Sequence, residues 1–277
     1  MQSAERNTPP RRVAKAVTPV IANAVTAARC SAGLDLAAAY LSILTGKGSG
    51  SGWDAGEYLA AARMLRPENE PVVVDCGANQ GTWTADVRAR LGHQRGRWLL
   101  IEPVAEYAQK CRRLPGVTVI ETAVGEESSV MQMYVPDGLS GWMSLHPRGD
   151  SFVRGVDFTP RPVQVVKLDD LLRERGIGRV AFLKLDLEGH ELFALRGATG
   201  YLGRGRIPAL TFEFGSANVN SRTFFRDFWD LLTPLGYGIH RIVPGGRTVR
   251  IARYDETLEF FRGATNYLAT LPGRGQD

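Results

Sequence analysis

The sequence predicts an α/β protein built on a doubly wound, largely parallel sheet. Three observations carry this. From residue 72 onward, short apolar runs alternate with amphipathic runs, the rhythm of parallel strands joined by helical crossovers. The first run ends in a glycine-bearing corner, Asp75-Cys76-Gly77-Ala78-Asn79-Gln80-Gly81. Acidic residues then recur at later run ends, at Glu102 and Asp186, on the side where open α/β sheets bind ligands.

Taken in order, residues 1–12 are polar and proline-containing, unlike a secretory signal peptide. Residues 13–44 are alanine-rich and partly amphipathic, interrupted by Pro19 and by Ser31-Ala32-Gly33. They read as two short helices that either pack on the core or make peripheral contact with a membrane. The run 46–52, Gly-Lys-Gly-Ser-Gly-Ser-Gly, reads as a flexible linker or loop. Residues 1–52 are therefore expected to form a tail and helical extension, and 53–277 the main domain. Residues 53–65 are helical, ended by Pro67. Strand 72–74, helix 82–91, strand 98–101, helix 105–113 and strand 117–120 follow. The rhythm breaks over an insert at about 126–160, where 130–135 alternates like an exposed strand. It resumes with strand 163–166, helix 168–175, strand 180–185, helix 191–202 and strand 209–214. Phe224, Phe225, Phe228, Leu231, Leu232 and Leu235 share one helical face. Strands 238–243 and 248–252 form a hairpin around Pro244-Gly245-Gly246 and close the sheet.

Composition narrows the class. The 277 residues are 44% hydrophobic and carry a net charge of +5, from 34 basic and 29 acidic residues. No basic stripe suited to nucleic acid is present, so no nucleic-acid partner is expected. No apolar run is long enough to span a bilayer. Cys30, Cys76 and Cys111 are widely spaced, with no metal-ligand or disulfide pattern. A reducing, cytoplasmic location is the expectation, and no metal centre is assigned. Homo-oligomerisation stays open.

The corner has the spacing D-x-G-x-x-x-G. Gly77 permits a tight turn and close ligand approach, and Gly81 lets the next helix pack close. Asn79 stands where a dinucleotide fold needs its second glycine. Asp75 would bring a carboxylate towards a cationic amino-acid ligand rather than a phosphate. Glu102-Pro103 ends the second strand, where an acid can accept hydrogen bonds from ribose hydroxyls. Thr122 and Ala123 are small enough to leave room for an adenine ring. In Leu183-Lys184-Leu185-Asp186-Leu187-Glu188-Gly189-His190-Glu191 an apolar strand runs into clustered ionisable groups, costly to bury unless paired or used. Asp186 faces the crevice. Glu188 and Glu191 suit either catalysis or a helix N-terminus. His190 reads either as a general base of near-neutral pKa or as a helix-start residue bonded to backbone. Asp169 and Asp170 read as the start of their own helix, and Glu213 as an acceptor-pocket residue.

In the corner, Ile101-Glu102-Pro103, Ala123-Val124-Gly125, Val166 to Leu171 and Leu183 to Glu191, the chain resembles the FkbM family of methyltransferases, over about residues 71–214. The resemblance implies a class I methyltransferase (Rossmann-like) fold with an antiparallel last strand. It implies S-adenosyl-L-methionine as cofactor and a small-molecule hydroxyl acceptor: a sugar, glycolipid or polyketide. Asp75, Gly77, Ala78, Asn79, Gly81, Glu102, Pro103, Thr122, Ala123 and Asp186 would contact cofactor, Ser144 would touch cofactor or acceptor, and Asp186, Glu188 and His190 would serve catalysis. Trp142, His146, Phe152 and Phe158 in the insert either face the acceptor or pack the insert down. A nicotinamide-dependent oxidoreductase and a non-catalytic methyltransferase-like module are the rival readings; Asn79 argues against the first and the ionisable cluster against the second.

Overall fold

The computed structural model describes residues 31–48, 56–92, 95–137, 141–149 and 153–273. Two compact units are present, Met1–Ser42 and Ile43–Asp277. In the first, the described part belongs to helix α1 (Ser31–Leu44). The expected helix upstream of it, Cys30, Phe152 and residues 49–52 lie outside the described residues.

The second unit is an α/β fold around an eight-stranded sheet. Its strands are β1 (Val72–Cys76), β2 (Arg97–Ile101), β3 (Val117–Ile120), β7 (Phe182–Leu185), β8 (Ala209–Gly215), β9 (Gly238–Ile242), β10 (Thr248–Arg250) and β11 (Ala264–Thr270). The order is β10-β9-β11-β8-β7-β1-β2-β3. β1 pairs in parallel with both β2 and β7, while β11 runs antiparallel to β8 and β9. Consecutive apolar residues in each strand feed opposite faces, as a sheet covered on both sides requires. Val74, Leu99 and Leu183 pack with helices α5 (Leu168–Glu174), α6 (Glu191–Arg196), α7 (Thr199–Gly203) and α9 (Phe225–Leu232). Val73, Leu100 and Phe182 pack with α2 (Gly56–Leu65) and α3 (Thr82–Leu91). Strand order reverses between β1 and β7, so the crevice at their carboxyl ends is the topological switch point.

A second, three-stranded sheet is ordered β4-β6-β5, from β4 (Ala123–Gly125), β5 (Ser129–Pro136) and β6 (Phe158–Lys167). Met133, Val135, Leu145, Val163 and Val165 form its own small core with Ala123 and Val104.

Several expectations are corrected. The chain does not close its sheet at 252: β11 inserts between β8 and β9, with Tyr267 fully buried against Phe212 and Phe225. Of the 46–52 run, Gly46-Lys47-Gly48 packs as a loop within the second unit. A Cβ on Gly46 would meet Ile242 O at 2.4 Å, and the Gly48 amide donates to Thr265 Oγ1 at 2.8 Å. The helix expected over 191–202 breaks into α6 and α7, because Gly197 sits so close to β4 that a Cβ would lie 2.0 Å from Gly125 O. Asp169 and Asp170 stand in the first turn of α5, as expected, and Asp169 also caps α7, accepting from the amides of Gly200 and Tyr201 at 2.7 and 3.0 Å. Asp170 instead pairs with exposed Arg173.

Asp169→Ala is therefore expected to cost about 1–2 kcal/mol in urea unfolding, and Asp170→Ala less than about 0.5 kcal/mol. Equal losses would mean that the cap does not hold α7.

Candidate functional site

The switch point opens into a cleft of about 120 Å³. Gly77, Asn79, Glu102, Pro103, Thr122 and Ala123 line it from the β1–β4 side, and Asp186, Glu188 and His190 from the loop after β7. Met133, Met143 and Leu145 add an apolar wall from the insert.

The corner is built by close backbone contact. Gly77 (φ +74°) approaches β7 so nearly that a Cβ would lie 1.9 Å from Asp186 O. The amides of Gly77 and Ala78 both donate to Ile101 O. Asn79 adopts a left-handed conformation (φ +49°) that asparagine tolerates. Gly81 (φ +80°) opens α3 against Leu114. Ala78 is buried on the α2 side, so Ala78 and Gly81 shape the corner without lining the cleft.

Asp75 does not reach the cleft wall. It is fully buried below it, accepting from Thr84 Oγ1 at 2.7 Å and ion-paired with Lys184 Nζ at 3.1 Å. Lys184 was not singled out from the sequence, although a lysine inside Phe-Leu-Lys-Leu is the signal that could have found it. Its ammonium also donates to Gly77 O at 2.9 Å and lies 3.3 Å from Asp186 Oδ2. Burial alone would strip the proton from Lys184, but Asp75, Asp186 and Glu57 together hold it on.

Glu102 is 1% exposed. Its carboxylate accepts from the Asn79 amide at 2.8 Å and the Val104 amide at 3.0 Å. Each oxygen keeps a second lone pair for a ligand. Burial pushes its pKa up to about 7 against the pull of those amides. Thr122 Oγ1 is committed to Gln164 O and Ala123 O.

Glu188 sits in the left-handed region (φ +51°) and pairs with buried Arg148 at 2.5 Å. Burial and the Asp186 carboxylate raise its pKa, while Arg148 opposes. Glu191, the first residue of α6, ties down the turn before the helix, accepting from the amides of Leu187 at 2.6 Å and Gly189 at 3.0 Å. Ser144 is fully buried, donating to Glu188 O and accepting from the His146 amide. It braces the cleft instead of lining it. Glu213 faces a small adjoining pocket shared with Glu188 and Glu191. The carboxylates of Asp186, Glu188 and Glu213 come within 4.8 Å of one another. Such oxygens could hold a divalent cation, but Lys184 and Arg148 already balance two of them.

His190 does not have a near-neutral pKa. Burial, then His146, lower it to about 3. Its Nδ1 lies 2.9 Å from His146 Nε2, and its ring stacks on Phe193 at 4.7 Å. The imidazole is held neutral, with Nε2 left without a protein partner. Trp142 and Phe158 are half-buried and outside the cleft lining.

The family model for the methyltransferase FkbM domain matches residues 75–239. A search of curated proteins finds no match. Among solved structures, the methyltransferase FkbM from Methylobacillus flagellatus KT is 17% identical, with a TM-score of 0.47 over 72% of this chain and 43% of that one. The chain thus spans less than half the length of that protein. A precorrin-6y C5,15-methyltransferase from Geobacter metallireducens GS-15 is 14% identical, with a TM-score of 0.39 over 77% and 86%. An S-adenosylmethionine-dependent O-methyltransferase from Thermotoga maritima is 12% identical, with a TM-score of 0.39 over 80% and 66%.

Two outcomes follow from the buried charges. Lys184→Met is expected to destabilise the protein by about 3–5 kcal/mol by stranding Asp75, and adding Asp75→Asn should recover part of that in thermal unfolding. Because the folded pKa of Glu102 is raised, its stabilising contribution is complete below about 4.5 and lost as pH rises through about 7. Glu102→Gln should carry a constant offset for a lost acceptor. Beyond that offset, it should gain about 2–3 kcal/mol on the parent between pH 4.5 and 7.5; a pH-independent difference would contradict the shift.

Proposed function

The chain belongs to the FkbM methyltransferase family, and from that premise we propose that it is an S-adenosylmethionine-dependent O-methyltransferase acting on a small-molecule hydroxyl, of a sugar, glycolipid or polyketide. One observation supports this most: an acceptor carboxylate for ribose, Glu102, and an ionisable cluster, Asp186-Glu188-His190, face one another across a single cleft at the switch point.

The residues present fit that cofactor. Glu102 keeps acceptor capacity on both oxygens that would suit vicinal ribose hydroxyls, Pro103, Thr122 and Ala123 would border adenine, and the Gly77–Asn79 corner lines the same cleft. Asp75 acts from below, through Lys184, by fixing Gly77 and Asp186. When bound, S-adenosylmethionine supplies an electrophilic methyl group on a sulfonium.

The chain's own part is alignment and proton removal. Asp186, whose side chain is 42% exposed, is placed to orient the acceptor hydroxyl. Glu188, raised by burial and by Asp186, is nearer the basicity a general base needs at neutral pH. His190 contributes a neutral Nε2 that hydrogen-bonds the acceptor; at a pKa of about 3 it is a poor proton sink. The Met133, Met143 and Leu145 wall keeps water from the reacting centre. Holding the two partners in line supplies much of the acceleration. The free thiols Cys76 and Cys111 suit a reducing cytoplasm.

The test is labelled methyl transfer to a panel of glycosides, glycolipids and polyketides, with S-adenosylhomocysteine titrated by calorimetry. Asp186→Ala is expected to lower kcat by about a hundredfold or more, His190→Ala by less. Glu102→Ala should weaken S-adenosylhomocysteine binding by about tenfold to a hundredfold. No measurable binding by the parent would overturn the assignment in favour of a non-catalytic module, and wild-type turnover in Asp186→Ala would remove that residue from the mechanism.

A further inference from the structure

We propose that α1 docks onto the surface of a lipid bilayer bearing anionic headgroups. The helix Ser31–Leu44 exposes Leu34, Leu36, Tyr40, Leu41 and Leu44, each between 52% and 71%. At 100° per residue these five side chains, with Ala37 among them, occupy an arc of roughly 160°. Asp35, the one charged residue of the helix, lies on the opposite side with Ser42, whose hydroxyl is satisfied by Ala38 O at 2.8 Å. A contiguous apolar face of this kind marks an interaction surface, unlike singly scattered leucines.

Charge selects the occupant. The thirty residues preceding α1 carry five basic groups, Arg6, Arg11, Arg12, Lys15 and Arg29, against one acidic group, Glu5. An apolar helical face flanked by net positive charge is complementary to an anionic membrane interface, where burial of apolar side chains and attraction to headgroups add. The 14 residues of α1 extend about 21 Å, short of the hydrocarbon thickness of about 30 Å. Among the described residues no helix is long and apolar enough to cross a membrane. The helix is thus placed in the plane of the interface. This inference does not rest on the methyl-transfer reading and is tested without it.

The experiment is flotation of the full chain with vesicles of phosphatidylcholine alone and of phosphatidylcholine mixed with phosphatidylglycerol, at low and high salt. Binding to the mixed vesicles only, weakened several-fold by salt, is the expected result. Leu34→Ser combined with Leu41→Ser should reduce that binding by about tenfold or more, with unchanged far-UV circular dichroism. Arg11→Glu with Arg12→Glu should reduce it while leaving both leucines in place. Recovery that is equal on both vesicle types, or absent on both, overturns the proposal. A concentration-dependent dimer lost in the leucine variant, without vesicle binding, overturns it in favour of a second copy of the chain as the occupant.

Discussion

The ammonium of Lys184 is the constraint around which the cleft is organised. It lies on β7, at the seam where strand order reverses, and touches Asp75, Asp186 and the carbonyl of Gly77 at once. A buried lysine without partners would lose its proton or unfold its surroundings. Here three carboxylates keep it charged, and the ammonium in turn permits Asp75 to remain buried. Gly77 completes the arrangement, since any larger residue would drive its Cβ into Asp186 O. The corner and the loop after β7 are thereby held as one body.

The insert is fastened to that body by polar contacts at one place. Ser144 Oγ donates to Glu188 O, Arg148 pairs with the Glu188 carboxylate, and His146 meets His190. Three residues from one short segment therefore engage the loop after β7. This explains why Glu188 holds a left-handed conformation and why His190 stays neutral: both are buried by the insert that they anchor. The apolar wall of Met143 and Leu145 is carried on the same segment. The conformation of the loop after β7 and the position of the apolar wall are consequently coupled, and a change at Ser144 or Arg148 would be felt at Glu188.

Much of the cleft was legible in the chain. Gly77, Asn79, Glu102, Pro103, Thr122, Ala123, Asp186, Glu188 and His190 were placed at strand ends by local pattern, and all line one cavity. Strand ends are local events, marked by an apolar run meeting glycine or charge. Asp75 and Ser144 are buried outside that lining, because local pattern does not say whether a side chain meets the cleft, a buried cation or a neighbouring loop. Asp169 opens its own helix as its sequence suggests, but its second role, capping α7, is invisible locally because the amides of Gly200 and Tyr201 lie thirty-one and thirty-two residues away. Strand β11 went unread because Ala-Thr-Asn-Tyr-Leu-Ala-Thr has no clear apolar run; its stability comes from pairing with β8 and β9 on both edges.

By itself, the sequence determined the α/β class, the position of the ligand corner and the acidic residue types at the strand ends, because periodicity and turn chemistry act over a few residues. Only the tertiary structure decided which charges pair and which face the cleft. It buried Asp75 and Lys184 together, set His190 in a buried place beside His146 that lowers its pKa, and inserted the last strand between β8 and β9. Ion pairing, desolvation and strand insertion all depend on residues distant in the chain coming together in a low-dielectric interior, and no local pattern records that.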